Sequence, residues 1–147
     1  MAAYSTVLVA VDGSAPSIRG LEEAIRLIKA DGGTLRLLHV VDDLLPVATT
    51  GYCADDLLLC AREAGQEILD TALAKARAAG VQADGELLEH VGGGSARFIL
   101  DVAAKRRADL IVLGTHGRRG LRRLVMGSDA EEVVRTSNVP VLLVREA

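Results

Sequence analysis

Short apolar runs alternate along the chain with stretches of helical periodicity. Thr6 to Val11 is a compact apolar run closed by Asp12-Gly13, a turn signal. Ser14 can cap a following helix with Pro16 in its first turn, and Ile18, Leu21, Ile25 and Ile28 mark one face that ends at Gly32-Gly33. Thr34 to Val41 predicts a second strand, followed by Asp42-Asp43 and an irregular stretch from 44 to 54. From about Asp55 a long helix is expected, with Leu58, Ala61, Gly65, Ile68 and Ala72 at helical spacing and Gly80 at its stop. Val81 to Val91 is a weaker, polar-interrupted strand that suits a sheet edge. After the turn Gly92-Gly93-Gly94, the residues Ala96, Ile99, Leu100 and Ala103 give a third helix ending in Lys105-Arg106-Arg107. Asp109 to Gly114 reads as a strand buried on both faces. A helix from Ser128 to about Ser137 and a last strand from Val139 to Val144 follow, with Pro140 favouring a strand start or edge.

Five strands with four intervening helices imply an α/β fold: a single, doubly wound, five-stranded parallel sheet, Rossmann-like, with helices on both faces. Residues 1–147 are expected to form one domain. Ligands of such sheets bind beyond the carboxyl ends of the strands, where strand order reverses. The residues after the first and fourth strands are therefore the ones to inspect.

Composition narrows the function classes. Half of the 147 residues are hydrophobic but only 2% are aromatic, so the core is built from Val, Leu, Ile and Ala, and platforms for stacking single-stranded bases are scarce. A net charge of -3 supplies no global field for nucleic acid or an anionic membrane, and neither is expected as a partner. No apolar run approaches the ~20 residues of a membrane span. The N-terminus shows no basic region followed by an apolar one, so the expected location is cytoplasmic. Cys53 and Cys60 would lie about 10 Å apart on a helix, too far for a disulfide, and are expected as free buried thiols.

The candidate chemistry lies in the segment GTHGRRGLRRLVMGS, from Gly114 to Ser128. Gly114 follows a buried strand, Gly117 and Gly120 lie in the loop, and Gly127-Ser128 opens the next helix. Glycine permits close backbone approach to a ligand, and a helix N-terminus offers unpaired N–H groups with partial positive charge. Together they suit a phosphate. Arg118, Arg119, Arg122 and Arg123 add guanidinium groups able to hold phosphate oxygens. The same residues also admit a plainer account: glycines as turns, arginines as solvated side chains, and Ser128 with Glu131 as a capping box.

Gly114, Gly117, Gly127 and Ser128 fit the G-x2-G-x9-G-[S/T] pattern, and the chain thereby resembles the nucleotide-binding branch of the universal stress protein family. The resemblance covers nearly the whole chain, through Val7 to Ser14, Leu37 to Val41, Ala108 to Gly114, Gly127 to Glu131 and Val139 to Val144. It implies ATP as the ligand, with Mg²⁺ carried through the phosphates. It implies Asp12 on the ribose or the adenine edge, against an ordinary Asp-Gly turn. Ala10 and Val40 would line the adenine pocket, or simply pack the core. Gly114, Thr115, His116, Gly117, Arg118, Arg119 and Gly120, with Gly127 and Ser128, would wrap the phosphates, although His116 could instead face solvent. Met126 is expected in the core. Asp129 stands where the family often has a small or apolar residue: it could favour the helix end, repel a triphosphate or join a metal shell. The resemblance also implies a homodimer through Val139 to Val144.

No Walker lysine motif and no G-x-S-x-G elbow occur in the chain. No residue is assigned to catalysis or to a protein metal site. The expectation is a nucleotide-binding stress-response regulator with slow hydrolysis at most. The alternatives are a weak ATPase of the wider α/β adenine-nucleotide group and an interaction module that binds no nucleotide.

Overall fold

The computed structural model describes residues 2–41, 54–90, 94–116 and 126–146, with the side chains of 54 and 55 left aside. Along the chain run β1 (Thr6–Ala10), α1 (Ala15–Asp31), β2 (Thr34–Val41), α2 (Ala54–Ala78), β3 (Ala83–Glu89), α3 (Ala96–Lys105), β4 (Leu110–Gly114), α4 (Ser128–Thr136) and β5 (Val141–Val144). The five strands form one sheet in the order β3-β2-β1-β4-β5, and every pairing is parallel. The chain winds outward from β1 to β3, then crosses over to β4 and β5. Strand order therefore reverses between β1 and β4.

Side-chain alternation divides the core into two layers. Val7, Val9, Leu35, Leu37, Leu110 and Val112 face α1 and α2, where Leu21, Ala24, Ile25, Ile28, Leu69, Ala72 and Ala76 meet them. Leu8, Leu38, Ile111 and Leu113 face α3 and α4 and pack on Ile99, Val102, Ala103, Ala130 and Val133. The three central strands are thus buried on both faces, as their continuous apolar runs require. β3 and β5 form the two edges. Pro140 contributes no amide donor, and β5 begins just after it rather than at Val139.

Local signals account for the helix ends. The Ser14 side chain accepts the Ser17 amide at the start of α1, and Gly32 closes the helix with φ of 87°. Two expectations about helix faces are corrected. Ile18 is 42% exposed, because Gly20 rather than Ile18 presses on the sheet, with Val112 at 3.5 Å from the position of a Cβ. On α2 the buried residues are Gly65, Leu69, Ala72 and Ala76, so Gly65 and Ala72 hold the expected face, while Leu58, Ala61 and Ile68 are only half-buried. α2 is exposed where Cys60 sits, so that thiol is a surface group and not a buried one. Cys53, Asp42, Asp43, Gly92 and Gly93 lie outside the described residues. Surface ion pairs tie neighbouring elements: Lys75 on α2 to Glu22 on α1 at 2.7 Å, Arg36 on β2 to Asp84 on β3, and Arg62 on α2 to Glu89 on β3.

Candidate functional site: a cleft at the point of strand reversal

At the carboxyl end of β1 the chain turns through Asp12. The Asp12 amide donates to Ser17 Oγ at 3.0 Å, and Asp12 Oδ1 accepts the Ser14 amide at 2.8 Å. One carboxylate oxygen is therefore committed to an Asx-type turn that leads into α1. Beside it, the Val11 amide donates to the Leu38 carbonyl at 2.8 Å, and His39 Nδ1 lies 2.6 Å from the Val11 carbonyl. A carbonyl oxygen only accepts, so Nδ1 carries a hydrogen. His39 is buried, and its ring lies against α2 at Gly65, where a Cβ would stand only 2.8 Å from His39 Cδ2. The missing side chain at Gly65 lets α2 approach the end of β2 and form one wall.

The opposite wall comes from β4 and α4. The Thr115 amide donates to Val144, and the Gly127 amide donates to the Thr115 carbonyl at 2.7 Å, joining the two ends of the 116–126 segment. Gly127 is the N-cap of α4, with no side-chain capping bond, and the Glu131 amide makes the first turn to the Gly127 carbonyl at 3.0 Å. Ser128 is the first residue of the helix and exposed, so the capping box expected from Ser128 and Glu131 does not form. The amides of Ser128, Asp129 and Ala130 consequently have no acceptor within the helix. Thr115 Oγ1 lies 3.1 Å from His116 Nδ1, whereas His116 Nε2 is buried without a hydrogen-bond partner among the described residues.

These pieces enclose a cleft of about 530 Å³. Its walls include Ala10, Asp12, Val40, Gly114, Thr115, His116, Gly127, Ser128 and Asp129, all singled out in the sequence. Gly117, Arg118, Arg119 and Gly120, together with Arg122 and Arg123, lie outside the described residues. Met126 packs half-buried on the α3–α4 layer, as expected. Val40 both lines the cleft and packs against that layer, as does Ala10.

One reason for a glycine changes. Gly114 borders the cleft, but its bare Cα accommodates α1: a Cβ there would lie 2.8 Å from the Pro16 carbonyl carbon, Pro16 Cβ and Ser17 N. Neither Gly114 nor Gly127, with φ of -59°, adopts a left-handed conformation. His39, Ala61, Ala64 and Gly65 of α2, and Gly94-Ser95 before α3 also line the cleft without having been marked by the sequence motifs. A histidine inside the otherwise apolar run Leu37 to Val41 was the available signal for the first.

The all-parallel, doubly wound sheet with a cleft at its reversal point and a helix start beside it defines the class as a Rossmann-like α/β protein. The particular family follows from comparison with known proteins. Residues 3–145 match the model of the universal stress protein family, and the chain belongs to that family. A universal stress protein of Methanocaldococcus jannaschii is 35% identical over 147 residues, covering 97% of this chain and 83% of the other. The crystal structure of a universal stress protein family member from Burkholderia pseudomallei matches with a TM-score of 0.77 at 33% identity, over 98% of this chain and 97% of that one. A universal stress protein crystallised in complex with cAMP matches with a TM-score of 0.66 at 27% identity, over 98% of each chain. No helix among the described residues is long and apolar enough to cross a membrane.

Proposed function

We propose that this chain is a cytoplasmic stress-response regulator that binds an adenine nucleotide, ATP with Mg²⁺ on its phosphates, in the cleft between β1 and β4. The observation that carries the reading is the opening of α4 into that cleft. Three consecutive amides without helical acceptors, at Ser128, Asp129 and Ala130, supply donors and positive potential where a phosphate chain would lie. The half-apolar wall of Ala10 and Val40 suits an adenine ring, and the cleft volume falls in the range of small-ligand sites. Asp12 lines the cleft with Oδ1 held by the turn, and its other oxygen would be the one to meet a ribose hydroxyl. His116 Nε2 is a buried polar atom suited to a ligand oxygen. The cAMP complex of a related protein supports an adenine nucleotide as the ligand class.

Nucleotide occupancy would alter a partner-facing surface beside the cleft. A homodimer through β5 is part of the same proposal: β5 ends the sheet with β4 as its neighbour, and antiparallel pairing with a second copy would cover that edge. Titration calorimetry with ATP and Mg²⁺ tests the binding. One site per chain, weakened at least tenfold in Asp12→Ala, is the expected result for a ribose contact at hydrogen-bond strength. Timed phosphate release from bound ATP separates regulator from ATPase, with no release over hours expected. A monomeric mass in solution at micromolar concentration would overturn the dimer.

A further inference from the structure

The second residue of α4 makes a contact that plays no part in capping its own helix. The Asp129 side chain reaches across to α3, where Oδ1 accepts the Ala96 amide at 3.3 Å. Ser95, the residue placed to cap α3, makes no side-chain capping bond of its own. Gly94 yields the space: a Cβ there would collide with Asp129 Oδ1. The carboxylate is thus seated between the N-termini of two helices, and Gly94, Ser95, Ser128 and Asp129 all line the nucleotide cleft.

Capping α3 needs only an oxygen acceptor, which an asparagine supplies equally well. The charge is what remains to be explained. A carboxylate held between two helix starts neutralises part of the positive potential that both present. Its own backbone amide is the middle one of the three α4 amides to which, on the reading above, the phosphates bind. Each further phosphoryl group on a ligand adds negative charge to a site that already holds an anion. We infer that Asp129 is a specificity residue that lowers the affinity for the triphosphate relative to the monophosphate. This inference rests on the nucleotide reading of the cleft.

The test is the affinity of the whole protein for AMP and for ATP, each measured by calorimetry in EDTA, in the native sequence and in Asp129→Asn. Asparagine keeps the Oδ1 acceptor for Ala96, so the thermal midpoint should stay close to that of the native protein. The ATP-to-AMP affinity ratio should rise by roughly tenfold, the size expected for removing one charge several ångströms from another at a partly exposed site. Binding of both nucleotides with an unchanged or lower ratio overturns the inference and leaves the nucleotide reading standing. Failure of both proteins to bind either nucleotide overturns the reading of the cleft, and the inference with it.

Discussion

Gly114→Ala tests how the cleft is held in shape. The added methyl would sit 2.8 Å from three atoms of Pro16 and Ser17, two of them backbone. Ordinary contact begins at 3.4 Å, so the start of α1 must withdraw by about 0.6 Å. Pro16 is ring-locked and Ser17 is buried, and neither can swing aside as a long side chain would. Overpacking of this kind costs about 1–3 kcal/mol. For a chain of this size that lowers the thermal midpoint by roughly 3–10 °C. The withdrawal also stretches the bond from the Asp12 amide to Ser17 Oγ, which sets the turn at the cleft mouth. Nucleotide affinity should therefore fall together with stability. Gly20→Ala is the matched control on the same helix–strand interface. Its Cβ would meet Val112 at 3.5 Å, an ordinary contact, and alanine is the better helix former. That substitution should be neutral or stabilise by about 0.5–1 kcal/mol. Calorimetric unfolding of the two variants decides the matter. If Gly114→Ala melts within a degree of the native protein, or if both variants shift alike, the packing argument is wrong.

Other consequences can be checked separately. Ser14→Ala removes the cap of α1 and should cost about 1 kcal/mol in chemical unfolding, with Ser14→Asp restoring most of it. His39→Leu leaves the Val11 carbonyl without its ring donor and should cost about 1–3 kcal/mol, with nucleotide binding weakened as the β1 and β2 ends part; an unchanged denaturation midpoint would refute this. The Lys75 ammonium, by hydrogen bond and then by charge, holds the Glu22 carboxyl below its ordinary value. A depressed carboxyl contributes stability that is present at neutral pH and is lost as acid protonates it below the ordinary carboxylate range. Lys75→Met should therefore flatten the acid limb of the melting temperature against pH, by a small and salt-sensitive amount because the pair is exposed. A steeper limb would contradict the assignment.

The fold was legible because its strands are apolar on both faces and its helices are punctuated by Ser, Pro and Gly. β2 begins and ends where the pattern placed it, at Thr34 and Val41, since an acidic pair and a glycine pair bound it. Periodicity failed where a glycine replaced a bulky side chain. Gly20 takes the position against the sheet that a hydrophobicity count assigns to Ile18, whereas Gly65, counted on the α2 face, is buried as expected. At α4 the cap moved by one residue, because Gly127 and Ser128 are both acceptable N-caps and only backbone geometry chooses between them. The strand-end half of the cleft followed from the reversal rule and the glycine motif. The half contributed by His39, Ala61, Ala64, Gly65 and Gly94-Ser95 did not, because it is assembled only by the tertiary packing of α2 and α3 around the end of β2. The Asp129 contact to Ala96 spans 33 positions, and no local pattern announces it.

A nucleotide bound as proposed would lie between the start of α4 and the end of β2. Amide NMR on the labelled protein, titrated with ATP, examines both at once. A nucleotide in the cleft should give saturable shifts at Ser128, Asp129 and Ala130 and at Val40 and Val41, with β3 and the carboxyl end of α1 unmoved. Saturating ATP with those five amides unchanged, or shifts confined to another face, would contradict it.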